Sequence, residues 1–173
     1  MVQLSFEPAL DPYHTMFRTL RLLPIVGPIG KLERDHVRIL DFFLVFPFKI
    51  SDLRLKQEHR RFRALGNRYA AQKPYAEQPE SALLFQRMGS VSDAAFQSLT
   101  TKGFVDGGEY DAGWVKPIKN WIPDELEERI QAANSGQQDL MDFLNTLARE
   151  YALGGENGLK HRSGLMEHRY DAV

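Results

Sequence analysis

At 173 residues, with 43% hydrophobic and 11% aromatic side chains, the chain can bury a core, which excludes a disordered polypeptide. Its 22 basic and 23 acidic side chains nearly cancel, so any nucleic-acid partner must be argued from local clusters rather than overall charge. There is no cysteine, which excludes disulfide staples, thiolate metal sites and a cysteine nucleophile.

The first residues, Met1 to Pro8, lack the basic start and apolar run of a signal peptide, and the expectation is a soluble cytoplasmic protein with no membrane contact. Residues 1–12 read as an extended arm. Asp11-Pro12 can start a helix, in which Tyr13, Met16, Phe17, Leu20 and Leu23 follow at helical spacing. Pro24, Gly27, Pro28 and Gly30 then make a turn. Val37 to Phe46 is apolar on nearly every bearing of a helix, so neighbours must cover it. With Arg38 and Asp41 inside and Pro47 at its end, it cannot cross a bilayer and reads as the central helix of the core.

After Ile50, Ser51 or Asp52 can cap a helix running to about Ala71. Pro74 and Pro79 bracket a loop. Pro79–Met88 reads as a short helix closed by Gly89, and Ser92–Lys102 as a second helix closed by Gly103. Phe104-Val105 and Trp114-Val115 flank the glycine-rich stretch 106–113 as a hairpin. Helix, turn, helix, hairpin is the order of a winged helix-turn-helix, with the central helix as its first member. Pro123 opens a further helix, Gly136 interrupts it, and Leu140, Phe143, Leu144, Leu147 and Tyr151 make an inward stripe when it resumes. The expected class is mainly α (α+β): one domain over 1–173, comprising an arm and helix (1–30), a winged-helix-like core (31–118), C-terminal helices (119–153) and a basic, aromatic tail (154–173).

Catalytic motifs are missing: the chain has no phosphate-binding lysine loop, Gly-x-Ser-x-Gly elbow or His-Glu-x-x-His. His161 and His168 could share a helix face beside Glu167, but zinc needs three or four converging ligands. Gly154, Gly155 and Gly158 before Lys160 have no preceding strand and no Lys-Ser/Thr pair, so they read as a hinge. Neither a catalytic group, a cofactor nor a metal is expected.

The basic run is the stronger signal. Arg54, Lys56, Arg60, Arg61, Arg63 and Arg68 crowd one segment, and on a helix Arg54, Arg61 and Arg68 would share a face at seven-residue spacing. Such a face can meet nucleic-acid phosphates, and it equally suits solvent or an acidic partner. The helix Ser92–Lys102, the usual reader of a winged helix, carries only Lys102 as a basic residue, which argues against major-groove reading there. In the tail, Leu159, Met166 and Tyr170 suit one helix face, with Leu165 also apolar and Lys160, Arg162 and Arg169 on another. A segment so occupied should be docked, on its own domain or on a partner.

Arg38-Ile-Leu-Asp-Phe-Phe-Leu-Val-Phe-Pro47, with Asp11-Pro-Tyr-His-Thr-Met-Phe-Arg18 upstream and Gly158 to Val173 at the end, resembles the middle component of bacterial ABC-three-component systems. In these an SMC/Rad50-like ATPase, an effector such as a nuclease and a small middle subunit are encoded together. Lamassu-type anti-phage and anti-plasmid defence belongs to the group. The resemblance implies a non-catalytic accessory subunit that docks on the ATPase, couples DNA sensing to the effector, and reaches DNA through the assembled complex. The alternative is a free-standing winged-helix DNA-binding regulator, which would be a symmetric dimer with a basic recognition helix.

Overall fold

The computed structural model describes residues 7–75, 77–119 and 122–167. It is mainly helical. Helix α1 spans Pro12–Val26 and starts as expected: the Asp11 carboxylate accepts from the His14 amide at 2.9 Å, with Pro12 in the first turn. It continues through Pro24, three residues past the expected end at Leu23. Strand β1 (Leu32–Glu33) leads into α2 (Arg34–Val45), whose Val37, Ile39, Leu40, Phe42, Phe43 and Leu44 are all buried.

Neighbours enclose α2 on every side, as its apolar circumference requires: α1, the later helix Gln138–Glu150, the turn after Pro47 and the small sheet all pack on it. The Phe42 ring meets Phe43, Phe46 and Phe85 at centroid distances of 5.5, 5.2 and 6.1 Å, and Phe43 meets Phe143 edge-on at 6.1 Å. Offset and edge-on pairs of this kind add to the burial of their area.

The segment after Ile50 departs from expectation. In place of one helix to Ala71 there is a 3-10 turn over Pro47–Asp52, an extended stretch, a second 3-10 turn over Gln57–Phe62, and the short helix α3 (Arg63–Arg68) folded back on the first turn. Leu53 and Leu55 explain it. Both are buried at two-residue spacing, which is the alternation of extended chain and cannot be met by one helix face. Asp52 ends a turn and caps no helix.

Helix α4 is a second correction. It runs unbroken over Ser81–Thr101, so the helix-turn-helix expected between Pro79 and Lys102 is one helix, and the winged order expected of 31–118 is not met there. Its buried residues, Leu84, Phe85, Met88, Ser92, Ala95, Phe96 and Leu99, keep one helical phase across Gly89. Gly89 is there for room: a Cβ would lie 3.1 Å from Nη2 of Arg38, whose guanidinium stands 4.6 Å over the Phe85 ring.

The hairpin is rearranged as well. Trp114-Val115 (β2) pairs antiparallel with β1, Leu32 opposite Val115, while Val105 reaches Pro117 through an isolated bridge. The stretch between is the short helix α5 (Gly107–Asp111), capped by the Asp106 carboxylate on the Glu109 amide at 3.0 Å. Helices α6 (Asp124–Gly136) and α7 (Gln138–Glu150) meet at Gly136 as expected, and α8 (Leu159–Ser163) follows the glycine turn. One contiguous apolar cluster joins Ala9 to Leu165 through all the longer helices.

Candidate partner and nucleic-acid interface

The basic run does not present one face. Because 53–56 is extended, Arg54, Arg61 and Arg68 part company. Arg54 turns to the tail: its guanidinium donates to the His161 carbonyl, its amide donates to the Arg162 carbonyl at 3.2 Å, and its Nη2 lies 3.8 Å from Glu167. Lys56 is half-buried, donates through Nζ to the Glu150 carbonyl, and sits 4.6 Å over the Tyr151 ring. Arg68 pairs with Asp139 of α7 at 2.8 Å. Arg61 stands 5.0 Å over Phe62. Arg60 and Arg63 are exposed, and among the described residues neither makes an ion pair or side-chain hydrogen bond.

Beneath this strip lies a polar anchor that the sequence reading missed. The Tyr151 hydroxyl accepts from the Lys56 amide at 3.0 Å and lies 2.9 Å from Nδ1 of buried His59, whose Nε2 is 3.0 Å from the Glu150 carboxylate. A carboxylate only accepts, so Nε2 carries a proton toward Glu150. Burial raises the Tyr151 hydroxyl above its ordinary pKa, which keeps it protonated in this role. Phe62, from the same turn, meets Phe143 edge-on at 5.2 Å. The strip therefore rests on a fixed base.

The tail docks on the chain itself. Leu159 is fully buried and Leu165 is 3% exposed, while Met166 packs partly against the same core. Arg162 returns the clasp by donating to the Arg54 carbonyl at 2.7 Å and to the Asn157 carbonyl at 2.7 Å. Lys160 reaches Asp35 of α2 at 3.5 Å. The glycines ahead of it form a tight turn rather than a loose hinge: a Cβ on Gly158 would lie 2.2 Å from the Gly154 carbonyl oxygen. Arg169 and Tyr170 lie outside the described residues, as does His168. Next to Leu165 and Met166 a cleft of about 760 Å³ opens between Arg38, the first turn of α4 and Glu167.

The buried ionisable groups hold helices to one another. Arg18 of α1 grips Asp41 of α2 through two bonds, Nε–Oδ1 at 2.6 Å and Nη2–Oδ2 at 3.0 Å, with its remaining donors on Pro8 and Thr15. Arg21, also buried, has amide partners in place of a carboxylate: Asn134 at 2.9 Å, Gln137 at 2.8 Å and the Ala133 carbonyl at 3.4 Å. Those groups form the C-terminal end of α6, whose dipole favours a cation, although burial lowers the guanidinium from its ordinary pKa. His36 donates from Nε2 to the Leu147 carbonyl at 3.2 Å, and burial lowers its pKa below 6.5. The sequence held a usable sign of one half of the Arg18–Asp41 pair: Asp41 interrupts the otherwise apolar run from Ile39 to Phe46.

Asp11 to Arg18 and Arg38 to Pro47, two of the three stretches that carry the family resemblance, are thus the two sides of the Arg18–Asp41 joint. The model of the family described as ABC-three component (ABC-3C) system Middle Component 5 matches residues 4–171. The chain belongs to this family. No curated protein and no solved structure matches it. The matched span takes in the core helices of this middle component, its basic strip and the clasped tail. Among its described residues no helix is long and apolar enough to cross a membrane, and no group of three or more His, Asp or Glu is placed to hold a metal ion.

Proposed function

We propose that this middle component is a non-catalytic, cytoplasmic subunit of a Lamassu-like defence complex. It would dock on an SMC/Rad50-like ATPase and help couple DNA sensing to release of an effector nuclease. The observation that carries the reading is the family match over residues 4–171, which makes the chain one component of a three-component system. The use of its buried ionisable groups supports it: Arg18, Asp41, Arg21 and His36 are spent on joining helices. The exposed basic strip and the cleft beside the tail are surfaces open to partners.

The test is co-expression with the ATPase encoded beside it. The two should purify together, and the subunit alone should neither turn over ATP nor cut DNA. A lone subunit that hydrolysed ATP or cleaved DNA would overturn the non-catalytic reading. An ATPase that failed to retain it would overturn the docking. Recovery as a symmetric dimer that binds a defined operator would favour the free-standing regulator instead.

A further inference from the structure

We propose that Arg60, Arg61 and Arg63 form an edge that binds the phosphate backbone of a nucleic acid without reading its sequence, while Arg54, Lys56 and Arg68 serve the fold. The inference deepens the DNA-sensing part of the reading above and rests on it for its setting.

The six basic residues split by what their side chains touch. Arg54 and Lys56 spend their donors on main-chain carbonyls of residues 150 and 161, and Arg68 is neutralised by Asp139. Arg60, Arg61 and Arg63 fall within four positions at the junction of a 3-10 turn and α3. In 3-10 geometry, side chains three apart line up, which sets Arg60 and Arg63 on one edge with Arg61 beside them. All three are exposed.

Carboxylates near this edge have other partners. Glu150 faces His59 at 3.0 Å, Asp139 holds Arg68, and Asp142 accepts from Gln138 at 2.8 Å. The partner of Asp142 is a neutral amide, so Asp142 keeps its charge and offsets part of that of Arg61 across their shared cleft. Glu58 is the acid of the turn itself and offsets part of the charge. Three guanidinium groups within four positions repel one another until an anion arrives, and because His59, Phe62 and Leu65 already hold the backbone beneath them, binding costs side-chain freedom but little backbone freedom.

The choice between a nucleic acid and an acidic protein follows from what surrounds the edge. A stable protein interface needs apolar anchors at its centre. The large exposed hydrophobic residues among those described are Tyr13, Tyr75, Leu83 and Ile118, and none is on this segment. Gln57, Glu58, Ala64 and Asn67 are its exposed neighbours. A surface of guanidinium groups without an apolar centre suits a polyanion held by charge and counterion release. With no helix long enough here to enter a groove, contact stays with the phosphates.

The experiment titrates mixed-sequence DNA duplexes with the full-length protein by fluorescence anisotropy across salt concentrations. Each phosphate contact adds about 0.9 to the slope of log affinity against log salt, so three give roughly a 40-fold loss of affinity between 50 and 200 mM salt. The variant R60Q/R61Q/R63Q should lose most of that slope while melting with wild type, and duplexes of different sequence should bind alike. R87Q, which removes another exposed arginine, on α4, should keep the slope. The proposal is overturned if wild type does not bind DNA at low salt, or if the triple variant keeps affinity and slope. It is equally overturned if the triple variant loses the ATPase but not DNA, which makes the edge a protein contact. DNA binding is read on the subunit alone, so failure of ATPase docking and failure of this edge are seen separately.

Discussion

Two sets of arginines in this protein have opposite fates. On α1, Arg18 and Arg21 are less than a tenth exposed, and their donors are met by Asp41, Thr15 and the Pro8 carbonyl, or by the end of α6. Where the turn meets α3, the side chains of Arg60 and Arg63 are exposed and make no ion pair or hydrogen bond among the described residues. The difference is set by solvent. A buried guanidinium without partners would cost several kcal/mol, whereas water satisfies an exposed one. Partners around a buried arginine therefore report on the fold, and their absence around a clustered, exposed one leaves charge for something outside the chain.

The core half of this comparison breaks most sharply at Asp41. Asp41→Asn leaves Arg18 buried without a counter-ion, at a cost of about 3–5 kcal/mol and a fall in Tm on the order of 10 °C. Arg18→Met with Asp41→Leu should recover much of that loss, because removing both charges leaves no buried charge unpaired, while the Pro8 carbonyl and Thr15 hydroxyl lose only one donor each. Thermal denaturation compares them, and an Asp41→Asn variant melting with wild type would remove the pair from the account of the core.

The tail is held by both apolar burial and an arginine clasp. Leu165→Ala should cost about 2–5 kcal/mol by emptying a buried site, measured by the same melts. A smaller loss would mean that the tail is held by its arginine clasp more than by its apolar residues.

A gentler probe is pH. The folded-state pKa of His36 is depressed below 6.5, so just below that value the unfolded chain takes up a proton that the folded chain refuses. Its contribution is whole above pH 6.5 and is lost as pH falls through and below it. His36→Gln can still donate to the Leu147 carbonyl and does not titrate, so Tm should fall less steeply with acid than in wild type. Identical slopes would show that other groups govern the acid side.

The parts legible in the sequence were those with local causes. Asp11-Pro12 marks the start of α1, the all-round apolar run marks α2, and Gly136 marks the joint of α6 and α7. What stayed hidden depended on distant partners. Gly89 resembles a helix end until Arg38 is seen passing across it. Two-residue strands carry no alternation, so the pairing of Leu32 with Val115 had no local sign. Residues 51–72 were dense in arginine, and the helical spacing of those arginines outweighed the buried pair Leu53 and Leu55, whose alternation was the better guide.

The division within the basic strip is most directly measured by melting two variants side by side, R54Q/K56Q and R60Q/R61Q/R63Q. The first removes hydrogen bonds to the tail and to Glu150, worth about 0.5–1.5 kcal/mol each, and should lower Tm by a few degrees. The second removes side chains that bond nothing in the chain beyond the Arg61–Phe62 contact, and should melt within about a degree or two of wild type. Equal losses, or a larger loss from the outer three, would contradict the assignment of one half to the fold and the other to a partner.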